Sequence, residues 1–272
     1  MRPFPFGTLG LLVLATLAST PAAAQFRVVP DDAWCDDQVR SDRPTHCEVR
    51  ELTLVRPGGP LSVDASPNGG IRVVAEARTD VRVRARVVAR ADSDEAARAL
   101  ADRVEVRVDS DRIESDGPRR QSRREGSWWV GYELSVPADL DLRLRSTNGG
   151  LSVTGVQAAL DLRTTNGGIE LEGLGGDVRG RTTNGGLRIR LDGERWEGAG
   201  LDLETTNGGV TLEIPSTYAA RLETGTVNGR WDIDYPIVVR GRLGRRLTTE
   251  LGDGGSLVRA VTTNGRVRID RR

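Results

Sequence analysis

"RTTNGGIELEG", residues 163–173, is one of six near-copies of a single phrase. Its Asn recurs at 148, 166, 184, 207, 228 and 264, with spacings of 18, 18, 23, 21 and 36 residues. A motif repeated at a near-fixed period signals an architecture in which each unit leans on its neighbours, not one catalytic centre. The last spacing, twice 18, predicts a skipped turn near "GDGG", residues 252–255. An earlier copy, "SPNGGI" around Asn68, has Pro67 in place of Thr and its upstream apolar residues shifted by one, and it reads as a divergent first turn.

Alignment on Asn separates an inside from an outside. Six and four residues before it stand Leu142 and Leu144, Leu160 and Leu162, Val178 and Gly180, Leu201 and Leu203, Leu222 and Thr224, and Val258 and Ala260. Three and five after it stand Leu151 and Val153, Ile169 and Leu171, Leu187 and Ile189, Val210 and Leu212, Trp231 and Ile233, and Val267 and Ile269. Side chains alternate along a strand, so each set shares one face. By the same parity the Ser or Thr two before Asn points inward and the next Thr points out.

Asn-Gly is a strong hairpin signal, so a row of antiparallel hairpins competes with a coil whose turns stack in parallel. The outward charges decide between them. Hairpins would set Asp161 against Glu172, Arg179 against Arg190 and Asp202 against Glu213. Like charges directly opposite destabilise a sheet. Stacking instead gives the columns Arg143, Asp161, Arg179, Asp202 and Glu172, Arg190, Glu213, which alternate in sign. The expected fold is therefore all-β: a parallel β-solenoid, β-helix-like, with coils of ~18 residues. Asn and Gly accept positive φ, so Asn68, Asn148, Asn166, Asn184, Asn207, Asn228 and Asn264 are assigned to sharp corners. Stacked Asn side chains can form a hydrogen-bonded ladder, and the inward Thr hydroxyls can satisfy backbone groups freed at the bend. Six to seven rungs ~4.8 Å apart would make a stack about 30 Å long.

Composition agrees. In 272 residues, the 37% hydrophobic share is low for one large globular core, the 33 Gly are many and aromatics make up 4%. The 39 basic residues, all Arg, balance 39 acidic ones, so there is no global field to attract nucleic acid. Residues 1–24 read as a signal peptide: Arg2, the apolar "LGLLVLATLA" and small residues before a cut after Ala24. The mature chain then starts at Gln25, exported, soluble and not membrane-spanning. In an oxidising compartment Cys35 and Cys47 are expected to form a disulfide, worth about 3 kcal/mol for a loop of that size. The competing reading is a metal site of both Cys with His46 and Asp36 or Asp37.

Residues 25–47 form the disulfide-closed segment, 48–137 a β-rich part with one helix, and 138–272 the repeats. Strands are expected at "EVRELTLV", "LSVDA", "IRVVAE", "VRVRARVVAR" and "WWVGYELSVP", and a strand pair at "VEVRVDSDRIES". "ADSDEAARALADRV" reads as a helix capped by Asp92 with Glu95 completing the capping box, and "DGPRRQSRREGS" as an exposed loop. The N-terminal strands and helix are expected to cover one end of the stack and "RVRIDRR" the other.

The repeated "TTNGGI.L", the lead-in "YELSVPADLDLRLRSTNGG" and the "TVNG" near the end resemble a bacterial family of exported β-strand-repeat proteins, candidate adhesins of otherwise unknown function. The resemblance spans roughly residues 48–270, implies a β-solenoid-like fold and supplies no catalytic residues.

Catalysis has little to work with. His46 lies inside the expected disulfide loop, without a nucleophile or orienting partner at suggestive spacing. The turns lack the Asp of calcium-binding "GGxGxDxUx" coils, and Asp31, Asp32, Asp36 and Asp37 match no known cation loop. No cofactor and no metal are expected. Arg143, Arg145, Arg163, Arg179 and Arg181 form a candidate patch for an anionic ligand such as an acidic polysaccharide. Trp128, Trp129, Tyr132 and Trp196 are candidates for stacking on sugars, Trp231 for the core, and Thr147, Thr165, Thr183, Thr206 and Thr263 form an outward row. The reading is a non-enzymatic envelope or extracellular module with a polysaccharide or protein partner. A carbohydrate-active β-helix enzyme or polysaccharide-binding protein is the alternative.

Overall fold

The computed structural model describes residues 26–29, 33–36, 43–118, 126–236 and 244–272. The signal-peptide reading and Asp31, Asp32 and Asp37 lie outside the described residues, as do residues 119–125 of the Arg-rich loop. Among the described residues the protein is all-β with one short helix. Its N-terminal part comprises β1 (Arg27–Val29), β2 (Thr45–Val55), β3 (Leu61–Asp64), β4 (Ile71–Ala75), β5 (Asp80–Arg90), α1 (Asp94–Ala101), β6 (Glu105–Asp109), β7 (Arg112–Asp116) and β8 (Ser127–Val136). The repeats supply β9 (Leu142–Asn148), β10 (Leu151–Thr154), β11 (Leu160–Asn166), β12 (Ile169–Glu172), β13 (Asp177–Asn184), β14 (Leu187–Arg190), β15 (Gly200–Asn207) and β16 (Val210–Ile214). They continue through β17 (Ala220–Thr226), β18 (Trp231–Asp234), β19 (Arg246–Leu251), β20 (Leu257–Asn264) and β21 (Val267–Arg271).

Each repeat gives one strand before its Asn to one sheet and one strand after its Asn to the other. The ten-stranded sheet runs β19-β17-β20-β15-β13-β11-β9-β3-β7-β6, and the eleven-stranded sheet β1-β2-β5-β8-β4-β10-β12-β14-β16-β21-β18. Neighbouring repeats pair in parallel and in register, Leu160 with Val178 and Asn166 with Asn184, for example, or Ile169 with Leu187. Like positions therefore meet one repeat on, and the hairpin alternative is excluded. Both sheets remain open; they do not close into a tube among the described residues. Their inward faces meet in one core of Leu, Val and Ile from every repeat, extended by Leu61, Val63, Ile71 and Val73 of the divergent first copy. That copy is one residue longer before its Asn: Val63 pairs with Leu144, yet Asn68 bridges to Asn148. At Gly180 the inward column lacks a side chain because Leu203 fills the space; a Cβ there would lie 2.5 Å from Leu203 Cδ2.

The order of repeats departs from the order of the sequence. No turn is skipped; β20 and β21 insert between β15–β16 and β17–β18, so the Asn column reads 68, 148, 166, 184, 207, 264, 228. Charge explains the exchange. Direct stacking of β17 on β15 would set Glu223 beside Asp202, whereas the inserted strand places Arg259 between them. Its guanidinium pairs with Asp202, lies 2.7 Å from Glu204 and 3.4 Å from Glu223. "RVRIDRR" is consequently an internal strand, and the far end of the stack is covered by β18 and the antiparallel β19.

At the near end β2, β5 and β8 pair antiparallel in one sheet, while β7 and β6 extend the other. Helix α1 packs across β2 and β5. Its cap is Ser93, whose hydroxyl accepts from Ala96 N at 3.1 Å; Asp92, expected as cap, instead receives Arg43. At the other helix end the backbone N–H groups of Asp102, Arg103 and Val104 donate to the carbonyls of Arg98, Leu100 and Ala101, and Arg50 adds donors to Ala101 O at 3.0 Å and, just beyond the helix, to Val104 O at 2.5 Å.

Candidate functional site

The repeated phrase builds a column along one corner of the stack. Asn148 Nδ2 donates to Asn68 Oδ1 at 2.9 Å, and the same bond recurs from Asn166, Asn184, Asn207, Asn264 and Asn228 to the preceding rung at 2.7–2.9 Å. The inward hydroxyls of Ser146, Thr164, Thr182, Thr205, Thr262 and Thr226 each donate at 2.7–2.8 Å to the first Gly carbonyl of the rung before. These hydroxyls are buried and each has its acceptor, which turns a desolvation cost into a net contribution of about 1 kcal/mol apiece.

Positive φ is not what the corner needs. None of the seven Asn adopts it, and the Gly residues after Asn148, Asn166, Asn184 and Asn207 do not either. The first of those glycines is required by close approach: a Cβ at Gly149, Gly167, Gly185 or Gly208 would lie 1.9–2.1 Å from the carbonyl oxygen of the rung before. Left-handed glycines sit at the opposite corner, at Gly155 (φ 75°) and Gly173 (φ 61°).

The outer faces carry charge ladders. Arg163 pairs with Asp161 at 3.1 Å, Arg179 with Asp177 at 3.0 Å, Arg181 with Glu204, and Arg190 with Glu172 at 2.9 Å and Glu213 at 3.7 Å. Of the five Arg proposed as an anion patch, Arg143 and Arg145 are exposed with no carboxylate within ion-pair distance among the described residues, whereas the other three are paired. Arg163 and Arg181 share a groove of about 740 Å³ on the outer face of the ten-stranded sheet; Arg143, Arg145 and Arg179 do not line it. Arg245, Arg246 and Arg259 line it, and sequence reasoning missed them because their approach depends on the exchanged order of repeats.

Other candidates are placed as follows. Cys35 and Cys47 are bonded to each other, which removes the metal reading, and Trp34 beside them lies over Arg84 and Arg86 at 5.2 and 4.8 Å. His46 is half-buried in β2, 3.5 Å from Glu48. Tyr132 and Trp196 are buried and unavailable to a sugar, with Trp196 Nε1 donating to Gly176 O at 3.0 Å. Burial pushes the phenols of Tyr132 and Tyr218 above their ordinary range. Trp128 is half-buried and donates to Pro118 O at 2.9 Å; Trp129 lies under Arg90. Trp231 is half-buried against the core in an edge strand. Thr165, Thr183, Thr206 and Thr263 are exposed and Thr147 is half-buried, in one outward row. No cluster of His, Cys, Asp and Glu suited to a metal occurs among the described residues, nor a helix long and apolar enough to cross a membrane.

Comparison with solved structures finds likenesses at low identity. A candidate cell adhesion protein from Clostridium sporogenes is 11% identical with a TM-score of 0.45, covering 84% of this chain and 100% of its own. A candidate adhesin from Bacteroides fragilis is 10% identical with a TM-score of 0.42, covering 84% and 97%. Another from Parabacteroides distasonis is 8% identical with a TM-score of 0.33, covering 84% and 98%. At these values the likenesses carry no argument about function. No curated protein matches the sequence. A family model matches residues 66–270, the first divergent copy through the last strand, and the chain thus belongs to the Toastrack DUF4097 family.

Proposed function

We propose that this chain is an exported, non-enzymatic interaction module, adhesin-like, working in the cell envelope or outside the cell. On this reading residues 1–24 direct export, 25–47 form a disulfide-closed lead, 48–137 cap the stack and 138–272 are a two-sided parallel β-solenoid. The disulfide supports an oxidising compartment.

The observation that carries the reading is how the repeats use their polar chemistry. Side chains that an enzyme would gather around a substrate are distributed along the stack as an Asn ladder, a hydroxyl row and alternating ion pairs. Such ladders give a stiff, regular surface with the same groups presented at each ~4.8 Å step, suited to holding an extended partner. The paired outward carboxylates weigh against the carbohydrate-active alternative, since a carboxylate neutralised by Arg is a poor general acid.

The test is a binding and depolymerisation screen of the mature chain, residues 25–272, against envelope and extracellular polysaccharides and surface-protein extracts. Retention without product release is the expected result. Release of shortened products would overturn the non-enzymatic reading.

A further inference from the structure

The groove on the ten-stranded sheet exists because of two topological features. Insertion of β20 brings Val261 and Arg259 next to Glu204, and β19 folds back antiparallel onto β17 with Arg246 in register with Gly225. Across the strands β11, β13, β15, β20, β17 and β19, the outward column thus reads Arg163, Arg181, Glu204, Val261, Gly225, Arg246. Two Arg stand at one side and Arg246, with its neighbour Arg245, at the other. Val261 and Gly225 leave the floor low between them, and four strand steps of ~4.8 Å separate Arg181 from Arg246 by roughly 19 Å.

Among the described residues the lining holds five Arg and one carboxylate, Glu204. Arg163, Arg181 and Arg259 are ion-paired with Asp161, Glu204 and Asp202, so the cation surplus of the groove lies with Arg245 and Arg246. Arg245 is exposed and has no ion pair or hydrogen bond from its side chain among the described residues. Arg246 reaches Glu223 at 3.9 Å alone, with its side chain 72% exposed, so it is held weakly and is open to a better acceptor. Along one wall run the hydroxyls of Thr183, Thr206 and Thr263, exposed and without intramolecular partners among the described residues.

We propose that this groove binds a linear acidic polysaccharide, bearing carboxylate or sulfate groups along its length. The inference rests on the interaction-module reading and gives it a site and a ligand class. Guanidinium groups present paired N–H donors that match carboxylate and sulfate oxygens, and the Thr row offers donors and acceptors to sugar hydroxyls between them. A nucleic acid fits less well: among the described residues the lining contains no aromatic ring on which bases could stack, and the chain as a whole is electrically neutral. Spacing between the two Arg groups selects an extended polymer over a single small anion.

The test uses the full mature chain, isothermal titration and three polymers of similar length: polygalacturonate, dextran sulfate and uncharged dextran. Binding to one or both acidic polymers and none to dextran is expected, with carboxylate and sulfate distinguished by which of the two binds. The Arg245→Glu/Arg246→Glu double variant is expected to weaken binding at least tenfold while its melting temperature stays near that of the parent. Arg103→Glu/Arg188→Glu, the same charge change away from the groove, is expected to leave binding intact. Equal loss in both variants, undiminished binding in the first, or no binding to either acidic polymer overturns the groove assignment. A chain that fails these tests yet retains neutral glycans or proteins without turnover keeps the module reading and loses the groove; one that shortens any polymer loses the module reading.

Discussion

Replacing Gly185 by Ala places a methyl group 1.9 Å from Gly167 O, 2.3 Å from Gly167 C and 2.8 Å from Gly168 N, all of them backbone. No side chain can rotate away, so the two rungs must separate locally by roughly 1 Å before the contact is tolerable. That separation acts on bonds clustered at the same point: Gly185 N to Asn207 O at 3.0 Å, Thr182 Oγ1 to Gly167 O at 2.8 Å and Asn184 Nδ2 to Asn166 Oδ1 at 2.8 Å. Loss of two such bonds costs about 2 kcal/mol and overpacking about 1–3 more, for a total of roughly 3–5 kcal/mol and a melting point lower by on the order of 10 °C. The adjacent Gly186 is the internal control, since a Cβ there meets Gly209 O at 3.4 Å, near ordinary contact. Gly186→Ala is expected to stay within about 1 kcal/mol of the parent, helped by the lower entropy of its unfolded chain. Urea titrations of the two variants measure the difference. Equal cost at both positions, or a Gly185→Ala that unfolds like the parent, would refute the close-approach explanation of the repeated glycine.

Removing Asn184 by substitution with Ala breaks two links of the ladder, to Asn166 and from Asn207, and is expected to cost about 1–2 kcal/mol in chemical denaturation. Asn228→Ala, at the end of the column with one ladder bond, is expected to cost about half as much, and equal costs would argue against the ladder bonds as the source of the loss. Reduction of Cys35–Cys47, which closes a loop with a separation of 12 residues, is expected to lower stability by about 3 kcal/mol; melts unchanged by reductant would show that the cross-link adds nothing to the stability of the fold. The hydrogen bond from Ser135 Oγ at 2.7 Å, then the charges of Arg82 and Arg78, hold the Glu76 carboxylate below its ordinary value. Its folded pKa is the lower one, so its contribution is present above the unfolded pKa and fades as pH falls through the folded value. In an NMR titration Ser135→Ala should move the Glu76 midpoint upward, and an unmoved midpoint would assign the shift to the arginines.

Much of the architecture can be read from the alternation around Asn. Leu142, Leu160, Val178 and their equivalents are buried because period-2 parity admits no other face once one member is inside. Charge alternation between Arg143, Asp161, Arg179 and Asp202 favours stacking over hairpins on electrostatic grounds, and the parallel register agrees. The order of the last repeats could not be read. A gap of 36 residues is compatible with a skipped turn or with an excursion that returns, and the deciding contact, Arg259 among Asp202, Glu204 and Glu223, spans 57 residues at its longest. The groove inherits that blindness, since Arg245 and Arg246 reach it through the excursion. "NGG" itself supports two physical explanations, backbone freedom and lack of a side chain, and distances between rungs decide for the second at its first Gly. The helix cap fell one residue late because Ser93 and Asp92 are both good caps, and Arg43, distant in sequence, takes the latter.

The out-of-order rung also constrains assembly. Ribosomes deliver a chain N-terminus first, so β9 to β16 can stack on β3 and β4 in the sequence in which they emerge. Strands β17 and β18 come next, yet their native neighbours β20 and β21 do not exist at that moment. The half-made molecule therefore has an exposed growing edge at β15 and β16, and its own β17 offers the wrong charge to cover it, with Glu223 facing Asp202. That like-charge contact disfavours β17 in the slot that residues 257–271 fill in the finished fold. The segment works as a keystone: it emerges after β17 and β18, yet in the fold it stands between them and the rest of the stack.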